Sequence, residues 1–329
     1  MNTVIDNNSP LISVIIPSYN AGQFIHRCVS SALCQDYPNI EVIVVDDGST
    51  DDSSPIIDSL ASANKNVYAV HQSNQGLSGA RNTGLGKSSG DYVFFLDADD
   101  YIAHDEISLL YRALMREGSD MAVGGFTYTA PSGDTIGYVA ANPCTVDESG
   151  YWKLAYNDSP GNYVEYVVSW GKLLPRAAFH RNAFDVGRLH EDEFIIHRIV
   201  SCCSTITLVN TNGYHYVQNE SSIMHSINAK SRIDLTEALL LREEYFAQKR
   251  LYSLAWASLS EAKGALSEAL LAEKRFEDEA ICRRLLNEWR DSFRGLLRYP
   301  MSSSRDFLTC TVFFISPRLF GRIRKGHSE

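Results

Sequence analysis

Over its first hundred residues the sequence alternates between short apolar runs and segments of helical period. The runs are "LISVIIP", "IEVIVVDDGS", "NVYAVHQ" and "DYVFFLD". Continuous apolar runs of this kind are strands covered on both faces. Between them "AGQFIHRCVSSALCQ" places Phe24, Ile25, Cys28, Val29, Ala32 and Leu33 on one helical face, and "SSPIIDSLAS" and "GLSGARNTGLGKS" read as further helices. Strand–helix alternation of this length requires right-handed crossovers and a mostly parallel, Rossmann-like sheet flanked by helices, an α/β fold.

Functional groups in such sheets collect where the strands end. Here those ends read "PSYN", "DDGSTDDS", "QSNQG" and "DADD", four polar loops on one rim. The last carries Asp97, Asp99 and Asp100. Acids this close repel one another unless a positive group or water intervenes. Two readings fit. One is a solvated loop capping the next helix, since Asp is a favoured N-cap. The other is a divalent-cation site, because carboxylates are hard oxygen ligands that share such an ion with a diphosphate. Neither GxxxxGK[ST] nor a GxGxxG directly after a strand is present. Arg81, in "QGLSGARNTGL", either pairs with an acid or phosphate of the rim or is an exposed helix arginine.

The chain has 329 residues and a formal charge of −10, which argues against a nucleic-acid partner. Its seven cysteines form no CxxC, which fits a reducing compartment, and the adjacent Cys202 and Cys203 read as buried small apolar groups. "MNTVIDNNSP" has no signal-peptide pattern and no run reaches a membrane span, so a cytoplasmic protein is expected. "YVVSWGKLLPRAAFHRNAFDVGRLHEDEFIIHRIVSCCS" reads as a helical pattern, a turn and another helix. From about Asp234 to Arg298 two or three amphipathic helices follow, suited to a homodimer interface among other uses. The apolar stretch Phe307 to Pro317 precedes Arg318, Arg322, Arg324 and Lys325. It suits either peripheral contact with an anionic membrane face or a last helix packed on the protein.

"ISVIIPSYNAGQFIHRCVSSALCQDYPNIEVIVVDDGSTDDS", "NQGLSGARNTGL" and "GDYVFFLDADD" together resemble the family 2 glycosyltransferases of bacteria. The resemblance is dense from Ile12 to about Tyr101 and resumes at "SWGKLLPRAAF", "HEDEF" and "YHYVQNESSIM", segments similar to those of capsule and exopolysaccharide transferases. It implies a GT-A fold and inverting transfer from a UDP-sugar to a glycan acceptor, lipid- or protein-linked. By the same resemblance Pro17, Tyr19 and Asn20 border the uracil, and Asp47 contacts the uridine. Arg81, Asp97 and Ala98 belong to the donor site, and Asp99 with Asp97 holds Mn2+ or Mg2+. Asp192 of "HEDEF" matches the catalytic base. Trp170, His190 and Glu191 are candidate acceptor or donor-sugar contacts, with Trp170 read equally as a core residue. The division this implies is a nucleotide-sugar half at 1–125, an acceptor part with the base at 126–233 and a helical extension at 234–329.

The chemistry is consistent. Direct displacement needs one base for the acceptor hydroxyl and a cation opposite the departing diphosphate. A second carboxylate acting as nucleophile is not required. Glu191 and Glu193 compete with Asp192, but on a helix neighbours point about 100° apart, so one of the three faces a given ligand. His215, between two tyrosines, is a further candidate for the metal. A sugar nucleotidyltransferase and an inactive nucleotide-sugar-binding scaffold remain alternatives.

Overall fold

The computed structural model describes residues 5–6, 9–139, 142–157, 163–219, 229–272, 276–301, 303–317 and 319–321. Two compact units divide it, Met1–Gly187 with Ile195–Ser222 and Arg188–Phe194 with Ile223–Glu329. The boundary drawn from sequence at 125/126 falls inside a strand, Met121–Thr129.

In the first unit the alternation appears as read. Strands β1 (Ile12–Ser18), β2 (Ile40–Asp46), β3 (Val67–His71) and β4 (Tyr92–Phe95) alternate with helices α1 (Ile25–Leu33), α2 (Ser53–Ala63) and α3 (Gly76–Lys87). β1 pairs in parallel with both β2 and β4, and β2 with β3. β1 is buried at every position, as a continuous apolar run demands. Helix α3 lies close against it: a Cβ added at Gly84 would meet Ile15 Cγ2 at 2.3 Å. That close approach requires glycine and brings Arg81, one turn earlier, under the strand ends.

The chain then adds β5 (Tyr101–Ile102), α4 (Glu106–Glu117), β6 (Met121–Thr129), β7 (Thr135–Val139), β8 (Cys144–Val146), α5 (Glu148–Asn157) and α6 (Tyr163–Val167). β9 (Lys172–Pro175), a short 3-10 turn, α7 (Glu191–Val200) and β10 (Ile206–Val217) follow. The sheet order is β3-β2-β1-β4-β9-β6-β10-β5, with β7 on β6 and β8 on β10. β6 and β10 are parallel, while β9 runs antiparallel between β4 and β6 and joins the two halves. The helical pattern expected across "YVVSWGKLLP" is therefore corrected: α6 stops at Val167 and "KLLP" is a buried strand. Lys172 is accommodated there because its ammonium donates to the carbonyl of Val168 at 2.6 Å and to that of Glu165. Cys203 is buried as expected, but Cys202 is exposed.

The second unit contains α8 (Ala229–Gln248), α9 (Tyr252–Ala272), α10 (Phe276–Leu296) and α11 (Ser304–Ile315). Its core is built on Leu259, Leu266, Trp256 and Trp289, with small Ala255, Ala262 and Ala269 letting helices approach. Both indole N–H groups find carbonyls, Trp256 that of Tyr299 and Trp289 that of Leu259. The apolar stretch after Phe307 forms α11, with Phe313 edge-on to Trp289 and Cys310 fully buried. Leu308 and Ile315 face outward. Arg318, Arg322, Arg324 and Lys325 lie outside the described residues, as do residues 220–224 of "YHYVQNESSIM". Among the described residues no helix is long and apolar enough to cross a membrane.

Candidate active site

The strand ends of β1 and β2 are laced to each other. Asp47 donates its N–H to Ser18 O at 2.8 Å. Asn20 donates its N–H to Ser49 Oγ at 3.0 Å, and its Oδ1 accepts from the N–H of Thr50 at 2.8 Å. Asn20 takes a left-handed backbone, φ 51°, tolerable for asparagine and fixed by those bonds. Pro17 is buried within β1, whereas Tyr19 is 52% exposed at the rim.

The two acids after β2 act differently. Burial works to raise the pKa of Asp46, but bonds from Ser49, Ser54 and His71 outweigh it and hold the carboxyl below its usual range. Asp47 faces the next loop. Its Oδ1 accepts from Gln72 Nε2 at 2.6 Å and Gln75 N at 2.9 Å, and its Oδ2 from Gly76 N at 2.8 Å. These amides open α3, so Asp47 occupies a helix N-terminus. A carboxylate accepts about four bonds, which leaves capacity for one more donor.

Arg81, 1% exposed, lies over the rings of Phe95 and Phe184 and donates to Asp97 Oδ1 at 3.0 Å. It is thus the buried partner of an acid, not an exposed helix arginine. Ala98 is buried. Asp99 is half-buried; its carbonyl accepts from Arg27 Nη2 at 2.8 Å and its Oδ2 from Asn219 Nδ2 at 3.1 Å. Asp100 is 1% exposed and bonds to Tyr214 Oη and Val217 N, both at 2.8 Å. Burial, then the charges of Asp99 and Asp97, push its pKa well above the usual carboxylate range. The three acids therefore point three ways: to a buried arginine, to the amide of Asn219, and into the core.

Four residues of this cluster escaped the sequence reading: Arg27, Asp100 as its anchor, Tyr214 and Asn219. Only the quoted "YHYVQN" hinted at the last two. Of the two readings of Trp170, sugar contact or core residue, burial favours the second. Trp170 is 6% exposed, stacked on Tyr214 at 4.3 Å and edge-on to Phe126, hence a core residue and not a sugar platform. His215 stacks on Tyr101 at 4.3 Å, with Nδ1 3.3 Å from Thr129 Oγ1. Among the described residues no three His, Cys, Asp or Glu side chains form a metal-holding group.

The remaining predicted residues lie in the segment 188–194, counted with the helical unit. Glu191, Asp192 and Glu193 form the first turn of α7. Glu193 forms an ion pair with the fully buried Arg242, which removes it from competition as a free base. Glu191 and Asp192 are half-buried. His190 has a left-handed φ of 56° and its Nε2 lies 2.8 Å from Ser231 Oγ. Burial lowers its pKa, so the ring is neutral at physiological pH.

Comparison with known proteins agrees with this architecture. The family description "Glycosyl transferase family 2" matches residues 13–185. Glycosyltransferase GlyG of Streptococcus pneumoniae serotype 4 is 33% identical over 230 residues, 66% of this chain and 74% of its own. Putative glycosyltransferase EpsH of Bacillus subtilis is 29% identical over 297 residues, 86% of this chain and 79% of its own. Among solved structures, S. aureus TarS 1-349 in complex with UDP-GlcNAc superposes with a TM-score of 0.62 at 20% identity, covering 86% of this chain and 81% of that one. That likeness speaks for the fold. The laced strand-end loops, the paired acids of the rim and these matches place the chain in glycosyl transferase family 2, a GT-A glycosyltransferase.

Proposed function

We propose that this glycosyltransferase moves a sugar from a UDP-sugar to a hydroxyl of a glycan acceptor with inversion at the anomeric carbon. The observation that carries the reading is the half-buried Asp99, held by Asn219 and Arg27 at the end of β4 while Asp97 and Asp100 are engaged elsewhere. Tyr19 and Asn20 border the uracil, and Asp47 offers its remaining acceptor capacity to the base. TarS, solved with UDP-GlcNAc, gives a fold precedent for that class of donor.

A divalent cation fits the residues present. Asp99 supplies a hard oxygen donor fixed by Asn219, with Asp97 beside it in sequence. Magnesium and manganese are commonly held by one or two carboxylates, the substrate's phosphates supplying further oxygens. When bound, the cation offsets charge accumulating on the departing diphosphate. Asp192 is the base. The acceptor oxygen attacks the anomeric carbon, its proton passes to the Asp192 carboxylate, and the bond to the diphosphate oxygen breaks with its electron pair leaving on UDP. Arg81 orients Asp97 through their 3.0 Å pair.

Calorimetric titration of UDP, with and without Mn2+, tests this on wild type, Asp99→Ala and Asp192→Asn. Metal-dependent binding lost in Asp99→Ala and retained in Asp192→Asn is the expected result. Binding indifferent to both metal and Asp99 overturns the metal assignment. Full transfer by Asp192→Asn removes the base.

A further inference from the structure

The segment carrying Asp192 is gripped at both ends by one helix. At its leading end Leu189 donates its N–H to Asp234 Oδ2 at 2.9 Å, and Arg188 Nη1 reaches Asp234 Oδ1 at 3.1 Å and Glu237 Oε2 at 2.8 Å. His190 adds its 2.8 Å contact with Ser231. At the trailing end Arg242 donates to the Glu193 carbonyl at 2.9 Å and pairs with the Glu193 carboxylate. These gripping residues belong to α8 and span three turns of it, from Ser231 to Arg242.

Tying down a surface loop does not require this arrangement. Asp234 is 3% exposed and Arg242 0%, and charges are buried at a cost that only close pairing offsets. His190 adds a left-handed backbone, which persists in a non-glycine residue only where its surroundings over-determine it. Such strain clusters where a side chain must be aimed, and His190 stands two residues before Asp192. Within the grip, Glu193 is committed to Arg242.

We propose that α8 is the positioning element for the base, with Asp234 the principal positioning residue and Arg242 the second. This rests on the reading of Asp192 as the base. It gives the helical unit a part in the reaction, through the placement of that carboxylate. Acceleration by a base depends on its placement, and a misplacement of about 1 Å costs roughly 100-fold.

The test uses the full chain and Asp234→Ala, Asp234→Asn, Asp192→Asn and the double variant Asp192→Asn/Asp234→Ala. Turnover is read as UDP released to water from whichever of UDP-glucose, UDP-galactose, UDP-GlcNAc and UDP-GalNAc wild type uses fastest. Calorimetry gives UDP affinity, and hydrogen exchange follows the amides of residues 188–194. Asp234→Ala should lower kcat roughly 10- to 100-fold with KM and UDP affinity within about twofold. Leu189 and Glu193 amides should exchange faster. Asp234→Asn, which keeps an acceptor for the Leu189 N–H, should recover part of the loss. In the Asp192→Asn background Asp234→Ala should cause no further loss, because it acts through the missing carboxylate. An additional loss there, or a lowered melting temperature with unchanged kcat, overturns the positioning role. Wild-type turnover by Asp192→Asn instead brings down the base assignment, a different outcome. Should no donor turn over, unchanged exchange at Leu189 overturns the grip and faster exchange supports it.

Discussion

Two acidic triplets, one in each unit, solve the same electrostatic problem by opposite means. In "DADD" the innermost acid, Asp100, is met by neutral donors, a tyrosine hydroxyl and a backbone amide, and its pKa is pushed well upward. In "EDE" the innermost acid, Glu193, is met by a buried cation, Arg242. Each anchors its triplet in the core beside a half-buried neighbour, Asp99 or Asp192. The difference lies in what removal leaves behind. Neutral donors stranded without a partner lose hydrogen bonds, whereas a stranded guanidinium is an uncompensated charge.

The largest effect follows directly. Glu193→Ala takes the paired carboxylate from Arg242, which is 0% exposed, and should destabilise the helical unit by about 3–5 kcal/mol. Replacing both residues, Glu193→Leu with Arg242→Met, should recover most of that loss in urea denaturation. A single variant as mild as a surface substitution would erase the contrast between the triplets.

Glu106 sharpens the neutral-donor side. It is fully buried at the start of α4, accepts from Thr211, and burial pushes its pKa from 4.5 to about 7, with Asp105 adding to the rise. Between those values the folded state holds a proton that the unfolded state has released. Its contribution is therefore complete below pH 4.5 and is lost as pH climbs to about 7, a fall of about 3 kcal/mol. Glu106→Gln should remove that fall. Glu243 of the helical unit, also pushed to about 7 by burial, titrates in the same window in both proteins, so the difference between wild type and variant isolates Glu106. A difference flat from pH 4 to pH 8 would show that Glu106 ionises without penalty.

Asp100 comes next. Asp100→Asn keeps an acceptor for the Val217 amide and should cost less than about 1 kcal/mol, while Asp100→Ala leaves that amide and the Tyr214 hydroxyl without it and should cost about 1–3 kcal/mol. Equal costs in thermal unfolding would mean that the ionised carboxylate is what the site holds.

The sequence was most readable where the determinants are local. β1 to β4 and their loops follow from runs of a few residues, and the acids of the rim stand beside the strand that places them. Legibility failed where a residue's role depends on a distant partner. β9 is four residues long and is a strand only because β4 and β6 flank it; alone, "KLLP" carries no period. Trp170 looked available for a sugar until Tyr214 and Tyr216 covered it. The resemblance put Asp192 first among the "HEDEF" acids, but the commitment of Glu193 was not readable, since it rests on Arg242, 49 positions away. The unit boundary near residue 188 is likewise a product of the α8 contacts, and no composition change marks it.

Asn219 is the smallest case and the most direct test of what holds Asp99 ready. Its amide meets Asp99 Oδ2 at 3.1 Å across 120 residues of sequence, and the residue is 7% exposed. Asn219→Ala should cost about 0.5–1.5 kcal/mol of stability, the net worth of one hydrogen bond. Its functional effect should be confined to the metal: UDP affinity with Mn2+ should fall severalfold, and affinity without metal should not change. The half-buried acid of the rim would then be shown to depend on a neutral donor, as Asp100 does, while that of "HEDEF" depends on buried ions. Equal losses with and without Mn2+ would instead mean that Asn219 serves the nucleotide site at large, and the parallel between Asp99 and Asp192 would end there.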